Sequence, residues 1–319
     1  MATNLSSKRA VYAALVSNLL VATSKAFAAA WTGSSAMLSE AVHSFVDTGN
    51  EVLLLYGMRR AARRSDPEHP LGHGRELYFW SFIVALLVFA LGAGVAIYEG
   101  ILHVLHPEPI SDPLVNYVVL ALAFLFEGGS WLVSLRQFRT AKGPLGYREA
   151  FRRSKDPPSF MVLFEDSAAL LGVLIAGVGT WLSVRLHAPV IDGLASILIG
   201  LVLGGVALLL ARESKSLLIG ERADRSLSDS ILRIAGAEES IARANGLLTV
   251  QLAPDQVLAM LSLEFADGLR APEIEDRVIE IERKIRAAHP EVATLFVKPQ
   301  TDRTFRDAIR RRFGDGPFE

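Results

Sequence analysis

Long apolar runs, separated by charged or proline-bearing connections, restrict this chain more than any single residue does. Segments at about 10–31, 35–58, 77–103, 113–137, 158–185 and 189–211 each approach the ~20 residues that a helix needs to cross a hydrocarbon core. With 51% hydrophobic residues and a mean hydropathy of +0.33, the chain is too apolar for an ordinary soluble protein. The pattern predicts an α-helical integral membrane protein with six transmembrane helices in a lipid bilayer. The first segment contains Lys25 and the second a polar run, so these two are expected to face the interior of the bundle. Met1 to Arg9 is short and polar and leads to no small-residue cleavage site, which reads as a retained first helix rather than a signal peptide or a transit peptide.

Basic residues orient the bundle. Arg59, Arg60, Arg63, Arg64 and Arg75 lie between the second and third segments, and Arg136, Arg139, Lys142, Arg148, Arg152, Arg153 and Lys155 between the fourth and fifth. The alternate connections hold one basic residue, Arg185. The positive-inside rule then places both termini and the two basic loops in the cytoplasm. A formal net charge of −1 makes no case for nucleic acid as a partner. The chain has no cysteine, which excludes disulfides, thiolate metal sites and cysteine nucleophiles.

From about Leu217 the character changes. Ser226 to Ala244 reads as an amphipathic helix, Leu247 to Leu252 and Gln256 to Phe265 as strands, and Glu273 to Ala288 as a helix with Ile274, Val278, Ile281, Ile285 and Ala288 at helical spacing. Glu291 to Val297 closes the set as a short strand. The expected organisation is a six-helix transmembrane domain over 1–216, a cytoplasmic α+β domain of order α-β-β-α-β (ferredoxin-like) over 217–300, and a solvated or loosely attached basic tail over 301–319.

The chemistry concentrates in Ser39-Glu40-Ala41-Val42-His43-Ser44-Phe45-Val46-Asp47-Thr48-Gly49-Asn50, within the second segment. His43 and Asp47 are one helical turn apart on one face, a spacing that suits two ligands of one metal ion or a hydrogen-bonded pair that stitches helices together. Glu40 and Asn50 extend the stripe and are read as path-lining or supporting groups. Ionisable side chains at membrane depth cost roughly 2.5 to 3.5 kcal/mol each on insertion scales and usually face an interior or a water-filled path. Glu127, in the middle of the fourth segment, can approach the same region or neutralise Lys25. Glu99 reads as interfacial and structural. A second motif follows the second segment: Asp66-Pro67-Glu68-His69-Pro70-Leu71-Gly72-His73 is either a proline- and glycine-built turn or a metal-binding loop. His103, His106 and His187 are expected as solvated loop histidines, and Gly200 and Gly204 as a close-packing pair.

These features together resemble the cation diffusion facilitator family of divalent metal transporters, over about residues 8 to 300. The resemblance rests on the six segments, the Ser39 to Asp47 stretch, the His69-Pro70-Leu71-Gly72-His73-Gly74-Arg75 loop, Asp192 to Gly200 at the start of the sixth segment, and the α-β-β-α-β domain. It implies a homodimer that exports zinc, or in other members manganese, iron, cobalt, nickel or cadmium, in exchange for protons. It also implies His43 and Asp47 as ligands, to be completed by a second histidine and aspartate from the fifth helix. Here Asp166 matches that aspartate, but Val162 stands where the histidine is expected. Glu165, beside Asp166, is the substitute or supporting group. The Glu165-Asp166-Ser167-Ala168-Ala169 form is similar to the branch that includes the mitochondrial zinc transporter of animals. The Asp66, His69 and His73 spacing matches the family's cytoplasmic-loop metal site. In the soluble domain, Asn245, Ser262 and Val297 or Lys298 stand where some members carry zinc-binding histidines, so a role in dimerisation is expected there.

The expected activity is proton-coupled efflux of a divalent cation, Zn2+ first, by alternating access between the second and fifth helices. A bacterial inner (plasma) membrane is the expected host. Two alternatives stay open: a metal-sensing membrane receptor or scaffold without transport, and a transporter that prefers manganese, iron or cobalt. No HExxH or comparable motif supports a membrane metalloenzyme.

Overall fold

The computed structural model describes residues 18–314. Two compact units emerge, one formed by the helices that precede Lys215 and the other by the loop Ala61–Arg75 together with the chain from Ser216 onward. Residues 10–17, the start of the first expected segment, lie outside the described residues.

The first unit is helical. A helix over residues 18–32 (α1) turns at Gly33, whose φ of +70° suits glycine, into α2 (Ser35–Ala61). There follow α3 (Glu76–Leu105), α4 (Pro113–Lys142), the short α5 (Tyr147–Arg153), α6 (Pro157–Leu186) and α7 (Val190–Ile219). Proline opens both α4 and α6, where its missing N–H leaves no hydrogen bond unmade. Four helices among the described residues, α3, α4, α6 and α7, are long and apolar enough to cross a membrane. The six-segment expectation meets that criterion only in these four. At 27 residues α2 has the length, but Glu40, Asp47 and Glu51 lower its apolar character.

Burial within this unit is that of a membrane protein. Leu114 and Leu125 on α4 are 72% and 70% exposed, whereas Lys25, Glu40, His43 and Asp192 are fully buried. Apolar side chains facing outward and charge facing inward is what a hydrocarbon solvent selects.

Helices α3 and α7 are packed backbone to backbone. A Cβ on Gly100 would lie 2.7 Å from the Gly193 carbonyl and 2.8 Å from the Ile197 amide, and one on Gly200 would lie 3.0 Å from the Ala93 carbonyl. The close approach lets the Ser196 hydroxyl donate to the Ala96 carbonyl at 2.7 Å. Val88–Ala93, within α3, is wound as a π-helix. Gly204 is looser, with its would-be Cβ 3.5 Å from Ala93.

At one end of the bundle Asp192 accepts from the Ser34 hydroxyl at 2.8 Å and from the Ala36 amide at 3.3 Å, which ties the start of α7 to the first turn of α2. His103 departs from the expectation of a solvated loop residue. It sits in the last turn of α3 with its side chain 10% exposed, and Nε2 stands 3.9 Å from Asp192 Oδ2. The α3 helix runs past the expected end of its apolar segment at residue 103, so this histidine stays on a packed helical face.

The second unit contains α8 (Arg225–Gly236), β1 (Ile241–Ala253), β2 (Gln256–Phe265), α9 (Ala271–Ala288), β3 (Val292–Pro299) and α10 (Asp302–Phe313). The three strands lie in the order β1-β2-β3, with β1 antiparallel and β3 parallel to β2. Val257, Ala259, Leu261 and Leu263 alternate inward from β2 and pack against Leu227, Ile231, Ile281 and Ile285 of the two helices. The expected helix over Ser226 to Ala244 is corrected here: it ends at Gly236, and Ile241 to Ala244 pair with Leu263 to Phe265 as the start of β1. Register shifts between Ile241 and Arg243 and between Ala244 and Gly246 break the period-two pattern that would have announced a strand. The basic segment after Thr301 is helical; Thr301 caps α10 by accepting from the Thr304 amide, and Arg243 stands 3.4 Å from Asp302.

The α3–α7 packing yields a paired test. Alanine is the better helix former by about 1 kcal/mol, so Gly129→Ala on α4, with nothing within 4 Å of the new methyl, should raise thermal stability in detergent. Gly100→Ala should lower it, because the Gly193 carbonyl and the Ile197 amide, both backbone, stand in its way together with the Ile197 side chain; overpacking of this kind costs about 1–3 kcal/mol. Equal shifts in the two melting curves would contradict the close packing.

Candidate metal centre

Polar side chains from α1, α2, α4 and α6 meet around a cavity of about 70 Å³, lined in part by Ser44, Asp47, Glu127, Val162, Glu165 and Asp166. The α2 helix contributes most because its polar residues recur every three or four positions and so share one face. His43 is fully buried, with Nε2 3.4 Å from Asp47 Oδ2. That is ion-pair distance without hydrogen-bond alignment: neither ring nitrogen of His43 has a hydrogen-bond partner, and Asp47 Oδ1 and Asn50 Oδ1 have none either. Buried polar atoms are nearly always satisfied, so this group of unfilled acceptors is the unusual feature of the site. An acceptor-rich cluster of imidazole, carboxylate and amide oxygens fits a divalent cation.

The α6 helix closes the opposite wall. Glu165 faces the cavity and receives a long hydrogen bond, 3.4 Å, from Asn50 Nδ2. Asp166 is held from α4: Ser134 Oγ donates to its Oδ2 at 2.9 Å and Ser130 Oγ at 3.1 Å. Val162 lines the cavity one turn before Asp166 and brings no donor atom there. The cavity therefore presents several carboxylates, while His43 is buried behind Asp47 on α2 and is not among the residues that line it.

Four residues here were not singled out by sequence reasoning. Ser130 and Ser134 follow Glu127 at i+3 and i+7, a polar stripe on α4 that is visible in the sequence once Glu127 is taken as its start. Glu51 continues the α2 stripe one turn beyond Asp47 and accepts from Asn18 Nδ2 at 2.7 Å; both line the cavity. Glu40 and Glu127 take another role. Each pairs with Lys25, at 2.9 Å and 2.6 Å. Glu40 is seated against Gly172 of α6, where any side chain would collide with Glu40 Oε1.

The second unit carries a separate cluster. Asp66, His69 and His73 hold ligand atoms within 4.8 Å of one another. The loop is shaped by its own backbone. The His69 amide donates to Asp66 Oδ1 at 2.6 Å, the Gly72 amide to the His69 carbonyl at 2.9 Å, and Gly72 adopts φ +82°. Gly74 allows the chain to pass against β1, since a Cβ there would lie 2.9 Å from the Leu252 carbonyl. His69 Nδ1 is 3.1 Å and His73 Nε2 3.5 Å from the two oxygens of Asp66, and the imidazole centroids are 4.4 Å apart. His73 is buried with Nδ1 unpartnered, while Asp66 and His69 are exposed. Elsewhere in this unit Asn245 Nδ2 donates to Ser262 Oγ at 3.1 Å and to the Gln300 carbonyl at 2.8 Å, an amide-and-hydroxyl arrangement.

The backbone amide of His69, helped by its ring, lowers the Asp66 carboxyl below its ordinary value. A carboxyl depressed by folding contributes its interaction above the unfolded value and loses it as pH falls through the lower, folded one. In the metal-free protein the Asp66 carboxyl carbon should therefore titrate, by NMR, with a midpoint below about 3.9. A midpoint at or above that value would show that the Asp66 turn does not form.

The cation efflux transmembrane-domain family matches residues 11–219. The chain is 38% identical over 220 residues to the mitochondrial proton-coupled zinc antiporter SLC30A9 of Xenopus laevis, which covers 68% of this chain and 38% of that protein. It is 36% identical over 231 residues to metal tolerance protein C4 of Arabidopsis thaliana, covering 71% and 50% of the two chains. With the cation-efflux pump FieF of Cronobacter sakazakii it shares 29% identity over 292 residues, 89% of each chain. The chain thus spans half or less of the length of the first two relatives and nearly all of the third. With the family match covering well over half of its residues, the chain belongs to the cation efflux family, the cation diffusion facilitators.

Proposed function

We propose that this protein moves divalent metal cations, Zn2+ first, out of the cytoplasm in exchange for protons. The observation that carries this reading is the group of buried acceptors without partners on α2, at His43, Asp47 and Asn50. The metal-binding set is His43, Asp47, Glu165 and Asp166, with Asn50, Glu40 and Glu127 around it. The names of the SLC30A9 relatives supply zinc and the coupled proton. A second reading, preference for manganese, iron or cobalt, draws on Val162: a site with one imidazole and several carboxylates favours harder cations than one with two imidazoles.

Ligation needs a neutral imidazole and ionised carboxylates, so metal entry expels protons and proton entry from the other side expels metal. Alternating exposure of the cage couples the two flows. Residues 18–32 and α2 are the visible parts of the first two spans in this reading, which makes six with the four apolar helices. Both termini lie in the cytoplasm of a bacterial inner membrane. Residues 1–216 transport, 217–300 join two copies as a homodimer, and the basic segment 301–319 flanks that contact. The Asp66, His69 and His73 loop captures or senses the same metals. No covalent bond changes, so the reading is a transporter and not an enzyme.

Proteoliposomes loaded with a metal-sensitive dye and given a proton gradient test this across zinc, manganese, iron, cobalt, nickel and cadmium. Asp47→Ala, His43→Ala and Asp166→Ala should each lower zinc flux by more than about tenfold, since ligands matter at least as much as the groups that orient them. Unchanged flux in Asp47→Ala would overturn the assignment. Binding without flux in the unsubstituted protein would favour a metal sensor.

A further inference from the structure

Lys25 is a complete cation buried in an apolar bundle, and the exchange described above does not use it. Its ammonium has three N–H donors, and all three are taken: by Glu40 Oε2 at 2.9 Å, Ser44 Oγ at 2.9 Å and Glu127 Oε1 at 2.6 Å. Two carboxylates thus share one ammonium. Their other oxygens, Glu40 Oε1 and Glu127 Oε2, are buried without a partner, so among the described residues the ion pair with Lys25 is the only one either carboxylate makes. The triad also touches the cage directly. Glu127 and Ser44 line the cavity beside Asp47, Glu165 and Asp166, while Lys25 stands behind them.

We propose that Lys25 is the charge-balancing residue of the cage: a tethered monovalent cation that replaces one proton, and so sets how many protons leave when a metal ion enters. The inference rests on the metal-exchange reading given above. The reasoning is a count of charge. Around the cavity that the triad borders are Asp47 and Glu51 from α2, Glu165 and Asp166 from α6, and Glu127 itself from α4, with His43 buried on α2 next to Ser44; on α1, Lys25 is the one charged group among the described residues. Lys25, Glu40 and Glu127 together carry one positive and two negative charges. Without the ammonium the two carboxylates would stand buried with no cation, which a low-dielectric interior does not sustain. They would regain the same net charge by retaining one proton. An arriving divalent ion would then displace that proton in addition to those it displaces from the ligands themselves.

The test uses the full chain in lipid nanodiscs, carrying His69→Ala and His73→Ala so that the loop cluster does not contribute. Zinc is titrated calorimetrically in several buffers of different ionisation enthalpy, which gives protons released per ion bound. Lys25→Met should release about one proton more per ion than the reference protein. Lys25→Met combined with Glu40→Gln, which removes one charge of each sign, should return to the reference count. An unchanged count in Lys25→Met with zinc still bound would overturn the proposal. So would loss of zinc binding in both variants, since Lys25 would then be a structural strut. If the reference protein itself takes up no zinc, the metal-exchange reading falls first and this inference with it; zinc binding with an unaltered count removes only the inference.

Discussion

A charge taken out of water has to meet an opposite charge or a full set of hydrogen bonds, and in this protein Lys25 meets both requirements at one point. Its three contacts come from α2 and α4, so a single ammonium joins three helices. The consequence extends to packing. Glu40 can reach Lys25 only if α6 yields space, and Gly172 is the position where it does. The polar centre and the backbone approach of α6 are therefore one feature. Removing a partner from such a pair leaves the other charge stranded, typically a loss of about 3–5 kcal/mol.

The cage beside that centre is organised in the opposite way. Asp166 is satisfied, held by two hydroxyls from α4, whereas His43, Asp47 and Asn50 are left with open acceptors. One wall is preorganised and the other under-satisfied. A cation entering such a site replaces missing hydrogen bonds on α2 while meeting a carboxylate already oriented on α6. On the proposed reading the serines fix direction, and the histidine and aspartate supply the unmet demand.

How much of this was legible in the chain depended on whether the information was local. The α2 stripe could be read because a helical turn brings His43 and Asp47 together whatever the tertiary structure does, and the Asp66, His69 and His73 cluster because its turn is closed by its own backbone and prolines. Lys25 was recognisable as buried, but the choice between two fates for Glu127 needed the crossing of α1 and α4. Ser130 and Ser134 were invisible as orienting groups since hydroxyls are common on membrane helices and their acceptor lies on α6. The boundary between α8 and β1 was misread because two register shifts erased the alternation there. His103 was placed in solvent because the apolar run stops near it, while the helix itself continues to Leu105.

The two candidate cation sites use the same residue types and differ in what surrounds them. Around Asp66 a backbone amide at 2.6 Å supplies the compensation, and water reaches both Asp66 and His69, so the carboxylate is stable as an anion with or without a metal. Around Asp47 no backbone donor is available, because every amide of an interior helical turn is already bonded within the helix. Side-chain donors serve Asp166 and Glu165, but Asp47 Oδ1 has none, and three cations are chemically admissible there: a proton, a metal ion, or the ammonium that already serves Glu40 and Glu127. Competition among these three for one set of carboxylates is a direct result of placing acids in mid-helix in an apolar bundle. On the proposed reading, this favours exchange at the α2 cage and retention or sensing at the loop.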